Sequence, residues 1–224
     1  MSDEPAALSA QDLPQVIPLF PLNGALLLPH ASRPLNIFEP RYLNMVDDAM
    51  AAERIIGMVQ TLPEPKGAAK ERERPRLVLT GCAGRITSFS ETGDGRYLIT
   101  LTGVARFRLG DELPASTPYR RARVDFSPFA ADLEPLTRSH EEREALISPL
   151  RHFLEQRGMR IDWQAVESSP IESLVNSLAM ALPFDAVEQQ ALLEAPTLDE
   201  RHHTLITLLK IDGAFDSDTP PSLQ

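Results

Sequence analysis

The chain has 224 residues, of which 42% are apolar and 24% are charged, a composition typical of a folded globular protein. Its single cysteine, Cys82, excludes an intrachain disulfide and a cysteine-based zinc site. The net charge of −10 argues against nucleic acid as the main partner. The amino terminus, Met-Ser-Asp-Glu-Pro, lacks the basic residues of a signal peptide, and the apolar runs are too short to span a membrane. We therefore expect a cytoplasmic protein.

Charge and hydrophobic period divide the chain into two parts. Residues 1–123 carry 15 Lys or Arg and 14 Asp or Glu, whereas residues 124–224 carry 7 and 18. Apolar residues follow short strand-like runs in the first part and a helical period in the second. Because strands and helices are segregated rather than alternating, we predict the α+β class. The predicted divisions are a flexible tail, a β-rich subdomain, a helical bundle and a second tail, at residues 1–14, 15–130, 131–213 and 214–224.

The β-rich part contains short apolar runs separated by turn signals. A helix is predicted over 40–52, because Pro40 suits the first helical position and Leu43, Val46 and Met50 recur at helical spacing. Asp94-Gly95 marks a hairpin turn, and the charged segment 62–75 is interpreted as a mobile loop. Strands are predicted over residues 16–20, 25–28, 55–61, 76–80, 84–89, 97–101 and 105–109, and from residue 119.

Three features of these strands are more specific. The glycines of Gly81-Cys-Ala-Gly84 are interpreted as a tight turn, and Gly103 as a break between two strands. Alternation places Arg106 and Arg108 on one face of a strand and Phe107 and Leu109 on the other. A further alternation after Tyr119 places Ala122, Val124 and Phe126 on one face of the last strand.

The acidic part shows four helix starts, each an oxygen-bearing side chain with Glu three residues later. The last helix is expected to end at Gly213 and to bury a stripe that includes Leu198, Leu205 and Leu209. Pro149 is expected to kink or restart the first of these helices. His202 and His203 are interpreted as solvated helix residues. The predicted capping pairs are Ser139 with Glu142, Ser169 with Glu172, Asp185 with Glu188, and Thr197 with Glu200.

The residues that would carry catalysis are missing from the sequence. None of the three lysines follows a glycine, so the chain has no phosphate-binding P-loop. It contains no Gly-x-Ser-x-Gly and no His-Glu-x-x-His motif, and Cys82 has no neighbouring histidine. The adjacent carboxylates Asp47 and Asp48 are interpreted as part of a solvated helix face. We therefore expect no catalytic residues, no metal and no cofactor.

One basic cluster leaves nucleic acid open as an alternative partner. Residues 96–123 have a balance of +4, and several of the arginines could share the solvent face of a sheet. Pairing with acidic side chains would use the same charges structurally. The cluster consists of Arg96, Arg106, Arg108, Arg120, Arg121 and Arg123.

Several blocks of the sequence resemble the amino-terminal, substrate-binding domain of the Lon protease family. The most specific is Ile37-Phe-Glu-Pro-Arg-Tyr42. His30 is a departure, because glycine is common after the preceding proline in the family. Matches run from about residue 15 to 211, and the other blocks are 17–29, 81–86, 94–97, 103–107, 178–183 and 192–201.

The resemblance implies a PUA-like β-domain of about six strands and one helix, followed by a helical bundle. In full-length Lon an ATPase module and a Ser-Lys protease module follow this domain, and neither has a counterpart in these 224 residues. The resemblance thus indicates a stand-alone Lon-domain protein that is not an enzyme.

The expected function is binding of unfolded or specific protein substrates, as an adaptor in proteolysis or protein quality control. The alternatives are an ATP-independent peptidase or hydrolase and an RNA-binding PUA-like module. Self-association into a homo-oligomer is left open. The candidate binding residues join a strand-like segment to the first helix, and a purely structural role is the alternative weighed against binding: Phe38, Glu39, Pro40, Arg41 and Tyr42.

Overall fold

The computed structural model describes residues 9–62, 74–134 and 143–215, with side chains to residue 211. These residues form two compact units, which divide between Pro135 and Leu136. The first unit contains the strands and the second only helices, so the predicted α+β class is confirmed. Of the helices that the structure describes, none combines the length and hydrophobicity of a membrane span.

The described part of the first unit has six strands in the order β2-β5-β4-β3-β1-β6, and β5 pairs with β6 as well. That additional pairing closes five of the strands into a barrel. The pair β1–β3 is parallel, and the other pairs are antiparallel. The bounds are β1 Val16–Pro21, β2 Ser32–Ile37, α1 Pro40–Met50, β3 Ile55–Val59, β4 Thr80–Glu91, β5 Tyr97–Glu112 and β6 Arg120–Asp125.

The long strand β5 serves two partners on the same edge. Residues 97–102 pair with β2, whereas residues 108–112 pair with β6. The end of the β4–β5 hairpin therefore extends beyond the barrel with β2 as its outer strand. The predicted turn at this end is present: Thr92 and Arg96 are hydrogen bonded, and Gly95 has a φ of +78°.

The glycines read as turns lie inside strands, so that interpretation is wrong. Gly81 and Gly84 belong to β4, and β5 continues through Gly103. A Cβ at Gly81 would collide with the ring of Phe107, and one at Gly103 with the backbone carbonyl of Leu28. These glycines therefore permit close approach of neighbouring groups rather than chain reversal.

Two other predicted strands are absent from the structure. Residues 25–28 are irregular although the leucines in them are buried, because Pro29 and His30 redirect the chain; His30 has a φ of +59°, in the region that favours glycine. Residues 76–79 form only an isolated bridge, Thr61 to Leu77, before β4 begins. The strand β2 corresponds to the strand-like segment predicted before Phe38, for which no bounds were given.

The predicted tails are only partly testable. A short 3-10 turn at Ala10–Asp12, capped by Ser9, precedes the buried Leu13, so the chain is structured before residue 15. Most of the predicted loop, residues 63–73, and the terminal residues 1–8 and 216–224 lie outside the described residues.

A buried ion pair lies on the face of β5 opposite the apolar core of the barrel, because Arg106 alternates with the core residue Phe107. Arg106 was grouped with arginines that could share a solvent face, but it is only 3% exposed. Its guanidinium donates to both carboxylate oxygens of Asp132, at 2.7 and 2.9 Å, and its backbone N–H donates to the same carboxylate at 2.9 Å. Asp132 belongs to a 3-10 turn at Ser127–Leu133, which brings the ring of Phe129 to 4.7 Å from the guanidinium carbon.

The second unit consists of α2 Arg143–Gln156, α3 Trp163–Ser168, α4 Ile171–Ala181, α5 Ala186–Glu194 and α6 Leu198–Phe215. The capping pairs at Asp185 and Thr197 are confirmed. At the second predicted site Ser169 instead donates to the Ala165 carbonyl, and Pro170 precedes α4. The pair Ser139 with Glu142 lies outside the described residues.

Several other helix predictions need correction. The helix α2 does not restart at Pro149, α6 continues past Gly213 to Phe215, and the short α3, capped by Asp162, was not predicted. His202 is 2% exposed, so its interpretation as a solvated residue is wrong, whereas His203 is exposed. Adjacent positions on a helix differ by about 100°, which puts one ring inside and the other outside.

The helix α6 contacts α2, α4 and α5. Leu205 and Leu209 are fully buried, whereas Leu198 is only half-buried at the helix start. The expectation that the stripe packs within the bundle is therefore confirmed. Arg201 adds a buried polar link, donating to the Leu192 carbonyl at 3.0 Å and to Asn176 Oδ1 at 3.1 Å.

We predict that Asp132→Ala lowers the free energy of unfolding of the first unit by about 3–5 kcal/mol, because it leaves the buried Arg106 charge without its carboxylate. The control Glu39→Ala removes an exposed ion pair with Arg41 and should cost about 1 kcal/mol or less. The urea dependence of hydrogen exchange in β5 measures both. Equal costs for the two variants would show that the buried pair is dispensable.

We also predict that Leu205→Ala lowers the free energy of unfolding of the second unit by about 2–5 kcal/mol. Leu198→Ala should cost less, and Glu200→Ala about 1 kcal/mol or less through its cap. Trp163, the only tryptophan, reports urea unfolding of this unit by its fluorescence. If Leu205→Ala has the same free energy of unfolding as the wild type but no longer self-associates, the stripe is an interface rather than a core.

Candidate functional site

The predicted binding segment joins β2 to α1, and its residues point to different environments. Phe38 is 60% exposed just beyond the end of β2. Glu39 caps α1 and pairs with Arg41 at 2.7 Å, and Pro40 begins the helix. Tyr42 is buried, with its ring edge-on to Phe20 at 4.6 Å. The structure thus gathers Glu39, Arg41 and Tyr42 at the start of α1 and leaves Phe38 apart from them.

Phe38 shares one face of the sheet with Leu98 of β5 and with Arg96, which directly precedes β5. The partner of Tyr97 is Ile37, and the partner of Leu98 is Asn36. Because side chains alternate along a strand, Arg96, Leu98 and Phe38 lie on the face opposite Tyr97. The Arg96 guanidinium lies 5.9 Å from the centre of the Phe38 ring, and Leu98 is 47% exposed. We call Phe38, Arg96 and Leu98 the sheet-end surface.

The sequence prediction missed Leu98, although a signal for it was present. Tyr97, Ile99 and Leu101 alternate with Leu98 and Thr100. Alternation therefore puts the apolar side chain of Leu98 on the face opposite Tyr97 and Ile99. Ile99 is buried and Leu98 exposed, but only the pairing with β2 shows that Leu98 lies near Phe38. Phe89 is also exposed; it packs edge-on to Tyr97 at 4.9 Å on the other face of the sheet.

Two tyrosine hydroxyls hold α1 against the strands. Tyr97 donates to Asp47, and Tyr119 donates to Asp48. Burial, together with the hydrogen bond to Asp48, raises the pKa of Tyr119 to about 12. The adjacent carboxylates are exposed, as predicted for a solvated helix face, but they also fix the position of the helix that carries Arg41 and Tyr42.

Two cavities lie in the first unit, on either side of Tyr119. The first, of about 230 Å³, is lined by Arg41, Arg74 and Arg120 together with Pro21, Tyr42, Thr61, Pro75, Pro118 and Tyr119. The second, of about 250 Å³, has mixed charge, with Asp48, Glu53 and Arg121 among its lining residues. Among the described residues, no three or more His, Cys, Asp and Glu side chains are grouped as a metal site would require.

The arginines of residues 96–123 do not form one uniform basic face. Arg96 pairs with Asp94 at 3.0 Å, Arg106 with Asp132 at 2.7 Å, and Arg120 with Glu112. Arg121 donates to Ser116 at 2.9 Å. These acidic partners belong to the first unit itself. The pairing therefore uses much of the cluster's charge within the fold.

Most of the chain matches the model of one known protein family. The family model described as the ATP-dependent protease La (LON) substrate-binding domain matches residues 16–210. Lon protease 2 of Myxococcus xanthus is 28% identical over 215 residues, which are 92% of this chain and 24% of that protein. Lon protease of Anaeromyxobacter dehalogenans gives the same identity and coverage. The chain spans about a quarter of the length of the curated relatives it matches.

Two solved structures share the fold. The Lon N-terminal domain protein from Xanthomonas campestris matches with a TM-score of 0.58 at 25% identity, over 87% of this chain and 97% of that one. The N-terminal domain of the Mycobacterium avium complex Lon protease matches with a TM-score of 0.60 at 18% identity, over 87% of this chain and 98% of that one.

We predict that Tyr119 is the last of the three tyrosines to ionise. Its raised pKa means that its contribution to stability is complete below pH 10 and is lost as the pH rises through about 12. An alkaline titration followed by absorbance measures tyrosine ionisation, and circular dichroism of the same samples measures unfolding. The ionisation step at the highest pH should be missing in Tyr119→Phe. Tyr42→Phe, the control, should retain it. Persistence of that step in Tyr119→Phe would contradict the assignment.

Proposed function

Because the chain belongs to the family of the LON substrate-binding domain, we propose that it binds unfolded segments of protein substrates through the sheet-end surface. The observation that carries this proposal is the exposure of Phe38, at 60%, beside Leu98, at 47%. The family membership and the α+β fold predicted from the sequence are confirmed.

The sheet-end surface exposes two large apolar side chains, Phe38 and Leu98, to water. Large apolar side chains grouped on a surface mark interaction sites, because covering them removes apolar area from water. The Arg96 guanidinium beside Phe38 adds hydrogen-bond donors that can meet backbone carbonyls of an extended chain. An unfolded polypeptide presents both apolar side chains and unpaired carbonyls, so it matches this combination.

The proposal assigns recognition rather than cleavage to these residues. The matched segment is the substrate-binding domain of much longer relatives, and we propose that the chain acts as an adaptor in proteolysis or protein quality control. The RNA-binding alternative has less support, because the carboxylates paired with Arg96, Arg106 and Arg120 reduce the net positive charge available to a polyanion.

We predict that Phe38→Ser and Leu98→Ser each raise the Kd for fluorescein-labelled unfolded casein by about tenfold, the effect of losing one important interface side chain. Fluorescence anisotropy measures the Kd. Val187→Ser is the matched control, because Val187 is 70% exposed on α5 in the other unit. It should bind casein as the wild type does.

The opposite ranking would refute the proposal: casein binding unchanged in Phe38→Ser and Leu98→Ser but weakened in Val187→Ser. A labelled RNA, titrated at several salt concentrations, tests the alternative in parallel. Tight RNA binding that weakens steeply with salt would favour nucleic acid over protein, because RNA binding releases counterions.

A further inference from the structure

The cavity lined by Arg41, Arg74 and Arg120 concentrates positive charge, and none of its lining residues in the described part of the chain is a carboxylate. The three guanidinium groups lie among three prolines, two tyrosines and one threonine. The carboxylates that pair with two of the arginines, Glu39 and Glu112, are not lining residues. Counting these five charged groups, three positive and two negative, leaves one positive charge in excess.

One of the cations is fixed in position before any ligand arrives. Arg120 donates through Nε and Nη2 to Glu112 and through Nη1 to the Pro75 carbonyl at 2.7 Å, and its side chain is only 13% exposed. Hydrogen bonding from Arg120, and more weakly the charge of Arg74, holds the pKa of Glu112 below its usual value. A fixed and partly dehydrated guanidinium binds an anion at little cost in side-chain entropy.

Arg41 supplies a second, more exposed cation. Its Nε and Nη2 donate to Glu39, and its guanidinium carbon lies 4.6 Å from the centre of the Tyr42 ring. A guanidinium has five N–H donors, so Arg41 retains donors for a ligand. Arg41 and Tyr42 lie in the first turn of α1, where the helix dipole also favours negative charge.

Size and position limit what this cavity can hold. At about 230 Å³ it is smaller than the roughly 300–1,000 Å³ of pockets for drug-sized ligands, so it suits the end of a chain better than a nucleotide. Phe38 of the sheet-end surface and Arg41 of the cavity are three residues apart, which limits their Cα separation to about 11 Å. Because Phe38 lies on the face of the sheet opposite Tyr97 and α1, a peptide must pass around the sheet edge to contact both. A peptide of ten residues, about 33 Å long when extended, is long enough to do so.

We propose that this cavity binds the α-carboxylate at the C-terminal end of a polypeptide held on the sheet-end surface. The carboxylate carries the one negative charge that the five groups leave unbalanced, and the prolines and tyrosines cover the terminal side chain. This inference rests on the proposed function and adds to it a preference for free C-terminal ends.

The test compares two fluorescein-labelled peptides of about ten residues, rich in Phe and Leu, that differ only in a free or an amidated C-terminus. We expect the free acid to bind the wild type about tenfold more tightly, the size of one charge-assisted interaction. In Arg74→Gln and Arg41→Gln this ratio should fall below about threefold. Arg123→Gln, an exposed arginine of β6 outside the cavity lining, should keep the wild-type ratio.

Each remaining outcome has a definite meaning. Equal binding of acid and amide, with both weakened by Phe38→Ser, would overturn this inference and leave the proposed function intact. No binding of either peptide or of unfolded casein would overturn both. If an amidated peptide with an internal Asp binds as tightly as the free acid, the cavity recognises an acidic side chain rather than the C-terminal carboxylate. That result would refute the proposal. Competition by inorganic phosphate but not by acetate would also refute it.

Discussion

The buried ion pair between Arg106 and Asp132 is the interaction on which the first unit depends. It lies midway along β5, between the stretch that pairs with β2 and the stretch that pairs with β6. A buried pair of this kind contributes little net stability, but removing one partner is costly. Its effect is therefore positional: it fixes the Ser127–Leu133 turn against β5 at the place where the strand changes partners.

That change of partners creates the surface to which we assign function. Since residues 108–112 of β5 close the barrel with β6, residues 97–102 are left to extend outward with β2. The extension ends at Phe38 and Leu98, which stay exposed, while the hydroxyls of Tyr97 and Tyr119 hold α1 in place beside it. A rigid barrel thus presents an apolar edge and, three residues further on, an arginine-lined cavity.

Local chemistry made part of this structure predictable. Pro40, Asp94-Gly95 and the caps at Asp185 and Thr197 act within a few residues, and each was interpreted correctly. Arg106 was misplaced because its partner lies 26 residues away, and Gly103 because the group it accommodates is the distant Leu28 carbonyl. Alternation and glycine content do not encode such long-range contacts.

The candidate site was predictable to the same extent. Phe38 belongs to a specific motif, so it could be named from the sequence, but its exposure could not. The contribution of Leu98 depends on its register with Asn36 in β2, and the strand-like segment noted before Phe38 gave neither the bounds nor the partner of that strand. The cavity joins Arg41, Arg74 and Arg120 from separate elements, and pairing patterns along the chain gave no sign of this.

Hydrogen exchange of the whole chain, with and without saturating unfolded casein, tests the central claim most directly. When casein is bound, we predict slower exchange of the amides in residues 33–42 and 96–100, where the polypeptide covers the sheet end. Exchange in α3 to α5 should be unchanged. Protection confined to the helices of the second unit, or no protection at saturation, would contradict it.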